Sequence, residues 1–162
     1  MTWTEADSAV EHGITITGSR STEHRSAEFY GRIFEAYLEP FAQQNAHFHI
    51  GGALGIDTLT LNWLANNTPS AITIAVPCSV NDQPHEAADA IRSWARAGRL
   101  ADIVELNAPA LGTPAYHVRN RWMVDRTQFV IGFPRNDDPG SGTWYTLGYA
   151  AEQRKPRMIV PI

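Results

Sequence analysis

Short apolar segments rich in β-branched residues alternate with longer amphipathic segments along most of the chain, and this alternation is the strongest constraint on its fold. Segments of the first kind are typical of buried strands, and segments of the second kind have the spacing of helices. Strand, helix and strand in succession form a right-handed βαβ unit, which places helices on both faces of a parallel sheet. The predicted strands are 14–17, 47–50, 71–76, 102–106, 128–132 and 158–160.

This pattern predicts an α/β protein, a Rossmann-like three-layer sandwich with a mostly parallel sheet. The length of 162 residues suits a single domain over 1–162, and 43% hydrophobic with 19% charged residues argues against global disorder. Two start signals support the predicted helices: Asn81 or Asp82 as an N-cap ahead of Pro84, and Thr113 as an N-cap followed by Pro114.

Composition also limits the location and the partners. The single cysteine, Cys78, permits no internal disulfide, which suits a reducing cytoplasm, and neither an export signal nor an apolar membrane segment is visible. The net charge of −4 disfavours a surface built mainly to bind DNA or anionic membrane. We therefore expect a cytoplasmic protein with no membrane partner.

Four turns are expected at one edge of the sheet, because ligands of open parallel sheets bind beyond the carboxyl ends of the strands. Glycine-rich turns and helix N-termini there suit a phosphate or carboxylate, and arginine can grip such an anion with two hydrogen bonds. None of the turns is a Walker A loop or a complete G-x-G-x-x-G fingerprint. The candidate binding residues are Gly18, Ser19, Arg20, Gly51, Gly52, Ala53, Gly55, Arg119, Asn120, Gly140, Ser141, Gly142 and Thr143.

The order of these motifs, at 18–20, 51–57, 119–121 and 140–143, resembles the SLOG superfamily over about 14–160. That superfamily includes the DprA (Smf) DNA-processing proteins and the LOG phosphoribohydrolases. The resemblance implies a Rossmann-like fold whose ligand crevice is faced by Arg119. It is closest, motif by motif, to DprA-like proteins.

The similar LOG and deoxyribosyltransferase-like enzymes place a glutamate shortly after the Gly-Thr pair, where this chain has Thr146. A hydroxyl is a poor substitute for a carboxylate in cleaving a glycosidic bond. The catalytic candidates are therefore Arg119, Asp57 and Asp138, although Asp57 is also the kind of acid that the first turn of a helix favours. Trp144 or Tyr145 is expected either to stack on a nucleobase or to close a dimer interface.

Three functions follow as hypotheses. The first is a module that binds a nucleotide or nucleotide-derived ligand, with Arg119 on the phosphate and with no cofactor. A sensor is one form that such a module could take. The second is a nucleoside-monophosphate N-glycosidase with an atypical carboxylate. The third, single-stranded DNA binding, is disfavoured by the acidic balance and by the lack of room for an added nucleic-acid module.

Two further expectations concern packing and assembly. Aromatic side chains such as Tyr37, Phe41 and Trp122 predict a homo-oligomer. His47 and His49 share one face of a strand, and packing is preferred to metal binding for this pair, because no third ligand is visible nearby.

Overall fold

A six-stranded sheet forms the centre of the protein, and its strand order is β4-β3-β2-β1-β5-β6. The computed structural model describes residues 11–162, and every strand pairing in that part of the chain is parallel. The elements are β1 (His12–Gly18), α1 (Ala27–Tyr37), β2 (Ala46–Gly51), α2 (Ile56–Asn67), β3 (Ala71–Val76), α3 (His85–Arg96), β4 (Asp102–Glu105), α4 (Thr113–Asp125), β5 (Phe129–Phe133), α5 (Gly142–Glu152) and β6 (Arg157–Ile159).

The predicted α/β sandwich is confirmed. The bounds of each predicted strand differ by at most two residues from those of an observed strand. The larger apolar cluster joins α1, α2 and α3 to the sheet, and Phe34 contacts Phe133 in it with ring centroids 5.5 Å apart. A smaller cluster joins α4 and α5 to β5 through Val124, Val130 and Leu147. Among the helices that the structure describes, none is long and apolar enough to cross a membrane.

Strand order reverses at β1, which decides where a ligand site belongs. From β1 the chain adds β2, β3 and β4 on one side, then returns to pair β5 with the other side of β1. The loops that leave β1 and β5 therefore turn away from each other and open a crevice at the carboxyl ends of these strands.

Both predicted helix starts differ from the observed ones. Asn81 and Asp82 belong to a short 3₁₀ turn, Val80–Asp82, which Asp82 closes by accepting the backbone N–H of Ser79 at 3.1 Å. Helix α3 begins only after Pro84, whose extended backbone (ψ 142°) makes it the N-cap residue.

Thr113 is the first residue of α4 rather than its N-cap. Gly112 precedes it with φ at 151°, and no side chain caps this helix end. The first N–H groups of a helix have no partner within it, and since Pro114 has none, the N–H groups of Thr113 and Ala115 are the ones left without a cap at this end.

The C-terminal end of α2 is held by Arg99, which follows α3. Its guanidinium donates to the carbonyl oxygens of Ala65 at 3.1 Å, Leu64 at 3.2 Å and Thr68 at 2.7 Å. A fourth bond, 2.8 Å long, reaches the carbonyl of Ser70 just before β3. One side chain thus supplies the donors that the last turn of a helix lacks.

Candidate ligand-binding site

A cavity of about 410 Å³ lies beyond the carboxyl ends of β1 and β5, where the strand order reverses. Its volume falls in the range of small-molecule sites. Residues from all four predicted turns line it, together with the loop that follows β5. Those of the predicted set that line it are Gly18, Ser19, Arg20, Ala53, Asp57, Arg119, Asn120, Asp138, Gly140, Ser141, Gly142 and Thr143.

One wall is the turn after β1, which is held by its own side chains. Ser19 Oγ donates to the carbonyl of Ser21 at 2.9 Å and accepts the N–H of Ser21 at 3.1 Å. The exposed Arg20 reaches across the cavity, and its guanidinium lies 4.5 Å from the ring centroid of Tyr116 on α4. Arg135, from the loop after β5, donates to Ser21 Oγ. Two cationic side chains therefore stand at the rim.

The opposite wall is the N-terminus of α5 and the glycine-rich turn before it. Ser141 caps the helix by accepting the N–H of Trp144 at 3.3 Å. Asp138 Oδ1 accepts the N–H of Gly140 at 2.9 Å and so shapes the turn. The first N–H groups of a helix, here those of Gly142 and Thr143, have no acceptor within the helix and attract anions.

Arg119 forms the floor of the cavity and is only 5% exposed. Its Nε donates to Asn120 Oδ1 at 2.8 Å, and its Nη1 donates to the carbonyl of Ala75 at 3.3 Å. Nη2 has no hydrogen-bond partner within residues 11–162, and it is not among the fully enclosed polar atoms that lack one. A guanidinium has five N–H donors, so this buried side chain offers unused donors to whatever enters the cavity.

Asp57 lies beside Arg119 and is 7% exposed. It occupies the first turn of α2, as expected, and its Oδ2 accepts the N–H of Ala53 at 3.2 Å. Burial raises the pKa of the Asp57 carboxyl, while the charge of Arg119 acts in the opposite direction. Burial likewise lowers the pKa of Arg119, and Asp57 opposes that shift. The low dielectric around the pair thus outweighs its mutual attraction.

The glycines of the second turn serve packing and do not line the cavity. A Cβ on Gly51 would lie 2.4 Å from Arg119 Nη1, and a Cβ on Gly52 would lie 2.6 Å from Val76. Gly55 has φ at 74°, and a side chain there would meet the carbonyl oxygen of Ser19 at 2.4 Å. Bare backbone at these positions lets α2 and Arg119 approach the sheet closely.

Thr146 does not face the cavity. It is 0% exposed, and its hydroxyl donates to the carbonyl of Gly142 at 2.9 Å inside α5. Trp144 and Tyr145 are also absent from the lining: Trp144 donates to the carbonyl of Asn136 at 2.6 Å, and Tyr145 stacks on His117 with centroids 3.5 Å apart. His117 is itself a lining residue.

The histidine pair on β2 lies away from the cavity. His47 and His49 stack with centroids 4.6 Å apart, and His47 binds Glu11 and the hydroxyl of Thr73. His49 Nδ1 is buried without a hydrogen-bond partner among the described residues. Burial, followed by the charge of His47, lowers the pKa of His49 to about 4.

Solved structures share this fold at low sequence identity. DNA processing protein A from Helicobacter pylori, described for its single-stranded DNA binding mode, superimposes with a TM-score of 0.69 at 19% identity over 94% of this chain and 66% of its own. DNA processing protein A (DprA) from Streptococcus pneumoniae gives a TM-score of 0.71 at 15% identity over 94% of this chain and 51% of its own. The protein TM1055 gives 0.55 at 13% identity, over 90% and 72%.

These matches confirm the Rossmann-like fold that the motif resemblance implied. The chain spans less than two thirds of each DprA chain, so what those whole proteins do is not transferred with the fold. No protein-family profile and no curated protein sequence matches the chain.

Proposed function

We propose that the protein binds a nucleotide or a nucleotide-derived ligand in the cavity at the carboxyl edge of its sheet. The observation that carries this proposal is Arg119, a buried guanidinium with unused donors on the cavity floor. The glycine-rich turn 140–143 and the N-terminus of α5 line the same cavity, and such backbone is suited to an anionic group. The fold shared with DNA processing protein A supports a ligand of nucleotide character.

Titration calorimetry with the four ribonucleoside 5′-monophosphates and with short single-stranded oligonucleotides tests this proposal. We expect one-site binding of at least one mononucleotide, and an affinity about 100-fold lower in Arg119→Met. Arg96→Met, an exposed arginine in the last turn of α3, is the matched control and leaves binding unchanged. The proposal is contradicted if the wild type shows no heat of binding with any of the nucleotides.

N-glycosidic hydrolysis is a second candidate, and one observation favours it. Asp57 lines the cavity, and a carboxylate there can stabilise the positive charge that develops on the sugar as the glycosidic bond breaks. Incubation with nucleoside monophosphates, followed by chromatography, distinguishes the candidates: release of free base that is lost in Asp57→Asn supports hydrolysis, whereas intact nucleotide supports binding alone.

Binding of single-stranded DNA is favoured only by the fold shared with DNA processing protein A from Helicobacter pylori. A contact with the phosphate backbone weakens steeply with salt. A gel shift at low salt that disappears at moderate salt supports this function, and no shift at low salt removes it. The homo-oligomer and the cytoplasmic location expected from the sequence stay predictions.

A further inference from the structure

Asp57 and Arg119 present unlike hydrogen-bonding groups side by side on the cavity floor. Asp57 Oδ2 lies 2.6 Å from the point where a Cβ of Gly51 would stand, and Arg119 Nη1 lies 2.4 Å from that same point. Both side chains line the cavity. Glycine at position 51 is what allows the two groups to approach each other, since any side chain would overlap both of them.

Each member of the pair has capacity that the protein does not use. Oδ2 of Asp57 accepts from Ala53, whereas Oδ1 has no hydrogen-bond partner within residues 11–162. Arg119 uses Nε and Nη1, while Nη2 has none in the same part of the chain. Neither atom is enclosed away from solvent. The floor therefore offers one acceptor and one donor group to a ligand.

Asp57 and Arg119 carry opposite charges on the cavity floor, and this affects which part of a nucleotide can bind there. A phosphate beside Arg119 would also stand beside the carboxylate of Asp57, and like charges repel. A sugar hydroxyl suits both partners, because its O–H donates to a carboxylate while its oxygen accepts from a guanidinium. The phosphate is better placed at the rim, near Arg20, Arg135 and the N-terminus of α5.

We propose that Asp57 is a specificity-determining residue, which accepts a hydrogen bond from a ribose hydroxyl and makes the cavity select ribonucleotides over deoxyribonucleotides. This inference rests on the proposed nucleotide binding and deepens it. It reassigns Arg119 from the phosphate, where the sequence placed it, to the sugar. A buried acceptor that loses its donor discriminates strongly, since the unpaired group is left without water.

Calorimetry with adenosine, guanosine, cytidine and uridine 5′-monophosphates and their 2′-deoxy and 2′-fluoro-2′-deoxy forms tests the inference. The fluoro sugar keeps an electronegative substituent and lacks the O–H donor. We expect the tightest-binding ribonucleotide to bind the wild type at least 10-fold more tightly than both analogues. This comparison needs no variant and stands even where a substitution unfolds the protein.

Asp57→Asn places an amide N–H toward the cavity, because Ala53 N–H keeps the oxygen. We expect the ribose preference to shrink below 3-fold in this variant, and to persist in Asp89→Asn, an exposed aspartate on α3. Equal affinity of the wild type for ribose and deoxyribose forms overturns the inference and leaves nucleotide binding intact. A preference that survives Asp57→Asn also overturns it. If the wild type binds none of the nucleotides, the proposed function itself fails.

Discussion

Arg99 and Arg119 are two partly or wholly buried arginines that differ in how many of their donors are hydrogen-bonded. Arg99 donates four hydrogen bonds to backbone carbonyls at the end of α2 and just before β3. Arg119 is the more deeply buried, yet within residues 11–162 it makes only two, one of them to the adjacent Asn120. Burial lowers the pKa of both. The comparison suggests a rule to test: unused donors, rather than burial alone, distinguish a binding arginine from a structural one.

The largest expected effect separates binding from stability at Arg119. The double variant Arg119→Met with Asp57→Asn removes both buried charges together, so its unfolding free energy should stay within about 1 kcal/mol of the wild type. Its affinity for the tightest-binding ribonucleoside monophosphate should fall about 100-fold, because a charge-assisted bond contributes about 1.5–3 kcal/mol. Urea denaturation and calorimetry measure the two quantities. If the double variant loses stability and keeps its nucleotide affinity, Arg119 has a structural role like that of Arg99.

The second prediction is the reverse pattern at Arg99. Arg99→Ala removes four donors from the end of α2, and we expect the unfolding free energy to fall by about 2 kcal/mol, since several carbonyls lose their partner together. Nucleotide affinity should not change, because Arg99 does not line the cavity. Arg99→Lys keeps the charge and loses the fork, so it should recover less than half of the lost stability. Weaker nucleotide binding by Arg99→Ala would contradict the comparison.

His49 sharpens the comparison, since it has an unpaired atom outside the cavity. Its pKa is about 4 in the folded protein and 6.5 as a free side chain, so between these values the unfolded chain binds a proton that the native state does not. Stability is therefore lost as pH falls from 6.5 toward 4, and at pH 5 the loss is about 2 kcal/mol. The charges that act on His49 are those of His47, Glu11 and Arg126.

Denaturation at pH 7 and pH 5 measures this effect. His49→Leu should remove that part of the acid loss, whereas His24→Gln, an exposed histidine, should keep all of it. Neither variant should change nucleotide affinity at pH 7. A lower nucleotide affinity of His49→Leu would contradict the comparison, because an unpaired buried atom outside the cavity would then affect ligand binding.

The smallest effect concerns Tyr116, which contacts Arg20 across the cavity mouth. Tyr116→Leu removes the ring that positions this guanidinium, and a partly exposed cation–π contact contributes about 0.5–1 kcal/mol. We expect a 2- to 5-fold loss of nucleotide affinity in calorimetry, well below that at Arg119. If the affinity falls as far as in the Arg119 variants, the main cation for the ligand is Arg20 at the rim rather than Arg119 on the floor.

Much of the fold and part of the candidate site were predictable because they depend on local patterns. The β-branched run 71–76 has the bounds of β3, and the glycine-rich residues 140–143 line the cavity as the turn chemistry indicated. Gly51, Gly52 and Gly55 were predicted in the same way, yet they pack against α2, Arg119 and the β1 turn instead. A glycine that approaches a ligand and one that approaches a neighbouring helix look identical in a sequence.

Other features had no signal in the sequence. Thr146 reads as a replaced catalytic residue, but its burial inside α5 depends on how that helix packs on the sheet. The four carbonyls that Arg99 contacts all lie within 64–70, between 29 and 35 residues before it, and no motif links the two parts of the chain.

The sequence by itself determined the strand and helix alternation, and with it the parallel sheet and the edge at which its turns collect, because periodicity and turn chemistry act over a few residues. Only the tertiary structure decided which side chains meet there. Asp57 and Arg119 become neighbours at the end of β2, because α2 and α4 both bring a side chain to that point and because bare backbone at Gly51 leaves room for both. Burial and unused hydrogen-bond donors depend on these tertiary contacts, so they exist only once the chain has folded.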